Sequence, residues 1–95
     1  PFGDGSLTRI ANLYANTVQR GTSDELAECF EMLTRNSARL MRVKDYGIAV
    51  GKPADLAVWA VDSPGDAVAT AAQPLYGFKR GRRTFTRARP ELHRP

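Results

Sequence analysis

The chain has 95 residues, 42% of them hydrophobic and 25% charged, with a formal net charge of +4. That length suits one small domain with a marginal core, and the balance is that of a folded chain rather than a disordered one. No apolar run approaches the ~20 residues a bilayer span needs, so no membrane partner is expected, and the single cysteine, Cys29, excludes an internal disulfide and fits a reducing, cytoplasmic compartment.

Pro1-Phe2-Gly3-Asp4-Gly5 reads like the middle of a loop and lacks the basic start and apolar core of a signal peptide; we expect the end of a longer protein. Ser6 can cap the helix that follows, whose apolar face is expected at Leu7, Ile10, Ala11, Tyr14 and Val18. Gly21 stands where a C-terminal cap belongs. Thr22 with Glu25 forms a capping box that starts a second helix, its buried face expected at Leu26, Ala27, Phe30 and Leu33. Thr34 reads as the N-cap of a third, short helix through Ala38, Leu40 and Met41.

The period changes around Asp45-Tyr46-Gly47. Gly47, Gly51 and Pro53 punctuate a loop in which Ile48 and Val50 alternate as a brief extended piece. Residues 56–61, Leu-Ala-Val-Trp-Ala-Val, have the length and β-branched or aromatic content of a buried strand. Residues 65–72 are Ala-rich enough for one or two helical turns, and 75–78 and 84–86 are candidate strands. The basic turn Lys79-Arg80-Gly81-Arg82-Arg83 joins those two, with Gly81 able to adopt a positive φ. From Arg87 onward no apolar period remains, which predicts a surface tail. Helices first and short strands afterwards make the fold class α+β.

Little here carries chemistry. A metal site needs several His, Cys or carboxylate side chains converging on one ion, and His93 lies in the tail while Cys29 sits on a helix. No histidine lies near Cys29 in sequence to activate it, so it reads as a small packing residue. Asp24, Glu25, Glu28 and Glu31 complement a helix dipole and face water. Gly3-Asp4-Gly5 has neither the strand before it nor the lysine after it that a phosphate loop requires. The reading therefore places no catalytic residue and no metal ligand in this chain.

Two non-enzymatic readings stay open. One is an interaction or assembly module that uses the outer faces of helices 7–20 and 23–33. The other is a nucleic-acid binder, since Lys79, Arg80, Arg82, Arg83, Arg87, Arg89 and Arg94 interleave with Tyr76, Phe78 and Phe85. Nucleic acid is the weaker of the two, because a basic hairpin turn also keeps a sheet edge in solution.

The stretch from Leu33 to Asp62, LTRNSARLMRVKDYGIAVGKPADLAVWAVD, resembles the C-terminal region of the amidohydrolase superfamily. A Thr-x-Asn-x-Ala helix start appears as Thr34, Asn36 and Ala38. The pattern Gly-x-Ile/Leu-x-x-Gly-x-x-Ala-Asp-Leu follows as Gly47, Ile48, Gly51, Ala54, Asp55 and Leu56. "DYGIAVGKPADL" followed by "QPLYGFKRGRRTF" looks most like the cytosine deaminase branch, and the likeness runs from Pro1 to about Thr86.

The resemblance implies that residues 1–44 are the last outer helices of a (β/α)₈ barrel. Residues 45–86 would then belong to a small composite β-sandwich, and 87–95 to a surface tail. Thr34 would cap its helix, Gly47 and Gly51 would permit chain reversals, and Asp55 would accept hydrogen bonds from turn amides. The implied activity of the parent is metal-assisted hydrolysis of a C–N bond other than a peptide bond, in a cyclic amidine or amide. Its zinc or iron would be held by histidines and an aspartate that these residues do not include. Phe2 would line the substrate pocket, and the partner would be the remainder of the same amidohydrolase chain, with a homo-oligomer open. On this reading the isolated chain binds no cofactor and has no activity.

Overall fold

The computed structural model describes residues 2–95. Four helices, α1 (Leu7–Thr17), α2 (Ser23–Leu33), α3 (Arg35–Leu40) and α4 (Pro64–Ala69), accompany three strands, β1 (Leu56–Val58), β2 (Tyr76–Lys79) and β3 (Arg82–Thr86). The strands form one antiparallel sheet in the order β1-β2-β3, so the architecture is α+β.

Local chemistry sets the helix starts. Ser6 Oγ accepts the Arg9 amide at 3.4 Å, and Ser63 Oγ accepts the Asp66 amide at 3.1 Å, with Pro64 at the first helical position. Thr22 Oγ1 accepts the Glu25 amide at 3.3 Å, while the Glu25 carboxylate accepts the amides of Thr22 and Gly21 at 3.1 and 2.9 Å. The reciprocal bonds complete a capping box, and the amides of Thr22 and then Gly21 hold the Glu25 carboxyl below the usual carboxylate range. Gly21 is not the C-terminal cap of α1. The helix stops at Thr17, and Gln19 takes the left-handed conformation at φ +57°, with the Arg20 amide returning to the Ala15 carbonyl at 2.9 Å.

Helix α2 is central and packs against α1, α3 and α4. The core gathers Ala11, Ala15, Cys29 and Val68, with Leu26, Phe30 and Leu33 half-buried around them. Phe30 meets Trp59 edge-on with ring centroids 5.8 Å apart, which joins the helices to the sheet side.

The inward face of α1 differs from the one the apolar spacing predicts. Of Leu7, Ile10, Ala11, Tyr14 and Val18, only Ala11 is buried; the face turned to the core is Thr8, Ala11 and Ala15. Two physical features select it. Small side chains let α2 and α4 approach closely, and this face carries donors for carbonyls at the end of α4 and just beyond it. Thr8 Oγ1 donates to the Ala72 carbonyl at 2.6 Å, and Asn12 Nδ2 donates to Val68 and Ala69 at 2.9 and 3.1 Å.

Other expectations shift for related reasons. In α3, Ala38 is buried but Leu40 is exposed, as is Met41 at its C-cap. Ile48 and Val50 form no extended piece and lie fully in solvent on a turn. The predicted strand at 56–61 contracts to three residues; Leu56 and Val61 are half-buried, and Val58 is exposed. Burial along β1 and β3 is shallow, with Leu56 half-buried and every residue of β3 exposed. The β2–β3 hairpin turns through Arg80 and Gly81, both at positive φ (+48° and +76°), the geometry that fits a two-residue connection. Arg87 does not belong to the tail, since its amide donates to the Leu75 carbonyl at 2.7 Å and extends the ladder.

Candidate functional site

Three places concentrate polar groups: the loop before α1, the groove beneath it, and the turn that receives Asp55. The loop carries Phe2, whose ring is fully exposed and borders a shallow hollow with Arg9 and Ile10. Asp4 follows, its Oδ1 accepting the Ser6 amide at 2.9 Å, with Arg9 at 3.9 Å. The Ser6 hydrogen bond chiefly holds the Asp4 carboxyl below its ordinary value, with Arg9 and Arg87 assisting.

Between α1, α2 and the sheet lies a groove of about 420 Å³. Its apolar wall includes Phe30, Leu33, Trp59 and Phe85, and Asp4, Gln73 and Arg87 form its rim. The indole Nε1 of Trp59 is shielded from solvent and has no hydrogen-bond partner among the described residues.

Thr34 ends α2 and begins α3, but it does not cap α3 through its side chain. Its hydroxyl instead donates backwards to the Phe30 carbonyl at 3.0 Å. The unusual backbone at Thr34, φ −115° and ψ −94°, explains the difference, because a side-chain N-cap adopts an extended ψ. Asn36 is exposed on α3. Gly47 and Gly51 adopt φ of +110° and +87°, conformations that a side chain would strain. Lys52 Nζ donates to the Tyr46 carbonyl at 2.6 Å and folds across that turn.

Asp55 is held from across the sheet. Its Oδ2 accepts Lys79 Nζ at 2.5 Å and its Oδ1 accepts the Arg80 amide at 2.8 Å. The donating turn is the hairpin 25 residues away rather than the turn beside Asp55. The Lys79 hydrogen bond first, and the Arg80 amide second, keep its carboxyl below the usual range.

Of the residues singled out by sequence, Gly47 and Asp55 border one small hollow, Thr34 lines the groove, and Phe2 stands apart on the loop. Sequence reasoning missed Thr8, Asn12 and Gln73, and took Arg87 only as one cation of a basic stretch. Thr8 and Asn12 were detectable as polar residues one turn apart beside Ala11 and Ala15. Gln73 carried no local signal, and nothing near Arg87 in sequence pointed to Gln73 as its partner.

The comparisons with known proteins decide the family. An amidohydrolase family model matches residues 5–85. The chain belongs to the amidohydrolase family. It is 36% identical over 83 residues to the N-isopropylammelide isopropyl amidohydrolase of Pseudomonas sp. (strain ADP), which covers 86% of this chain and 21% of that protein. Its fold is similar to 5-methylcytosine deaminase from Klebsiella pneumoniae liganded with 5-fluorocytosine, at a TM-score of 0.90 and 29% identity over all of this chain and 23% of that one. The same enzyme liganded with phosphonocytosine matches at a TM-score of 0.86 and 29% identity, again over all of this chain and 23% of that one. The chain thus spans about a fifth of the curated relative's length.

Amidohydrolases are generally metal-dependent, but the donor set of this amidohydrolase chain does not fit a metal. Among the described residues no three His, Cys, Asp or Glu side chains converge. His93 lies exposed beyond β3, 3.8 Å from Glu91, and Cys29 is fully enclosed in the helical core. No described helix is long and apolar enough to cross a membrane.

Proposed function

We propose that these residues are a scaffold segment of a cytosine deaminase-like amidohydrolase that hydrolyses a non-peptide C–N bond in a cyclic amidine or amide. The catalytic residues and the zinc or iron belong to the rest of the protein. α1, α2 and α3, within residues 1–44, serve as outer helices of a (β/α)₈ barrel; residues 45–86, extended by Arg87, supply part of the β-sandwich, and 88–95 a surface tail. A barrel of that type needs roughly 250 residues, so it draws most of its chain from elsewhere.

One observation carries this reading: α1 is apolar on the side that faces away from its own core. Ile10 and Leu13 are 59% and 62% exposed while Ala11 and Ala15 on the opposite side are buried. A helix with small residues inward and large ones outward is the middle of three layers, of which this chain supplies two. The similarity to about a quarter of a deaminase chain supports the same reading. The single thiol, enclosed at Cys29, suits a reducing, cytoplasmic setting.

The same face also favours an assembly module, in which another protein or a second copy covers α1. Nucleic-acid binding is disfavoured because several of the required cations are engaged internally. Lys79 is paired with Asp55, Arg83 sits 5.7 Å from the centre of the Tyr76 ring, and Arg87 binds Gln73 and Pro74.

Purified as the 95-residue chain, the protein should neither deaminate cytosine or 5-methylcytosine nor take up zinc or iron stoichiometrically. Metal uptake accompanied by ammonia release would overturn the scaffold reading. A defined oligomer of the chain, by light scattering, would favour the assembly module instead.

A further inference from the structure

The loop that carries Phe2 has almost no packing of its own. Apart from the residues on either side in sequence, no described atom lies within 4 Å of where a side chain at Gly3 or Gly5 would begin, and the Phe2 ring is in solvent. Its position relative to the body therefore depends on Asp4. Besides the local Ser6 and Arg9 contacts, the Asp4 carboxylate reaches one distant group: Gln73 Nε2, 3.5 Å from Oδ2 and 69 residues away in sequence.

Gln73 is oriented in turn by Arg87, whose Nη1 donates to Gln73 Oε1. A guanidinium has only donors and an ionised carboxylate only acceptors, so the Gln73 carbonyl must face Arg87 and its amide nitrogen must face Asp4. Arg87 is itself fixed at two further points. Its Nε donates to the Pro74 carbonyl at 3.3 Å, and its amide donates to the Leu75 carbonyl at 2.7 Å. The chain of contacts runs from the end of the sheet, across the α4–β2 connection, to the loop before α1.

We infer that Gln73 and Arg87 are positioning residues: through Asp4 they clamp the Phe2–Ser6 loop to the end of the sheet and so set where Phe2 presents its ring. The functional consequence rests on the scaffold reading above together with the expectation, implied by the family resemblance, that Phe2 lines the substrate pocket of the full-length enzyme. There, a loosened clamp would cost substrate binding, because a stacking or lining ring contributes only when it is held in place. None of the three clamp residues touches the reacting atoms on this account.

The test follows hydrogen exchange of the Ser6 amide, which donates to Asp4 and reports on the loop directly. Gln73→Glu keeps the Arg87 contact but repels Asp4, and Arg87→Gln removes the fixed donor. Both should raise Ser6 exchange about fivefold, the loss of roughly one hydrogen bond's worth of protection, while α2 amides stay unchanged. Arg87→Lys, which retains a charged donor, should restore part of the protection. Unchanged Ser6 exchange in both variants would overturn the clamp, and so would a parallel rise in α2, which would signal general destabilisation. In the full-length enzyme the same two variants should raise KM severalfold with little change in kcat. A looser Ser6 amide with an unmoved KM would leave the clamp standing and remove Phe2 from the substrate pocket.

Discussion

The ring of Phe85 on β3 lies across Gly77 on β2, filling the space where any other residue would begin its side chain. A Cβ at Gly77 would stand 2.7 Å from Phe85 Cδ1 and 2.9 Å from Thr84 Oγ1. The pair faces across the ladder where the register slips: Gly77 opposes Phe85, and Phe78 already opposes Arg83. The bulge and the missing side chain act together to lay the aromatic flat on the sheet. Gly77→Ala must swing the half-exposed ring away and should cost about 1–2 kcal/mol. For a domain this size that lowers Tm by roughly 4–15 °C, measurable by thermal circular dichroism.

Asp55 gives the fold an acid-sensitive tie. Its carboxyl is held below the usual range by Lys79 and the Arg80 amide, so the folded state binds a proton less readily than the unfolded chain. The stabilisation is therefore present above the ordinary carboxylate pKa of about 4 and is lost as pH falls through the lower folded value. Asp4 and Glu25 are depressed as well and contribute with the same sign. Asp55→Asn should flatten the decline of Tm below about pH 4 without altering the contribution of the other two carboxylates. A Tm-versus-pH curve that falls equally steeply in parent and variant would exclude this role.

Cys29 is completely enclosed among the core residues, which makes its thiol a reporter of global opening. Labelling by a thiol-reactive dye should be slow in buffer and should accelerate in parallel with urea unfolding. Cys29→Ser places a hydroxyl in a site built for an apolar group and should destabilise by about 1–3 kcal/mol. Fast labelling of the native chain would show that the helices separate without unfolding.

The outward face of α1 distinguishes the isolated chain from the complete enzyme. Ile10→Glu with Leu13→Glu changes two exposed side chains on a helix that accepts glutamate well. In the 95-residue chain the double variant should alter stability by no more than about 0.5 kcal/mol per site and reduce binding of an apolar dye. In the full-length protein the same change should abolish assembly or activity, because two carboxylates would be buried without partners. Equal tolerance in both settings would mean that nothing covers this face.

Capping supplies a check that is independent of function. Thr22→Ala removes the side-chain half of the capping box on α2, the helix that contacts every other helix. The expected loss is about 1 kcal/mol in urea unfolding, with an unchanged m-value.

Some of this was legible because its causes are local. Ser6 and Thr22 start helices through hydrogen bonds that span three residues, and a three-residue pattern is visible in a sequence. The positive φ at Gly47, Gly51 and Gly81 follows from turn chemistry of the same short range. The amidohydrolase motif around Asp55 was visible as spacing, although its partners on the hairpin were not. Thr34 misled because its hydroxyl had a second option, the carbonyl one turn back, which sequence cannot rank against the cap.

The amino-acid order by itself settled that α1 is an amphipathic helix, that α2 opens with a capping box, and that a basic turn within residues 79–83 joins two strands; the structure narrowed that turn to Arg80 and Gly81. Only the assembled structure decided which side of α1 faces inward, because that depends on how closely α2 and α4 approach and on carbonyls at the end of α4 that need Thr8 and Asn12. It likewise brought Asp4, Gln73 and Arg87 together from three separate stretches of chain. Hydrogen bonds between neighbours leave a periodic trace in a sequence; contacts closed by packing leave none until the elements meet.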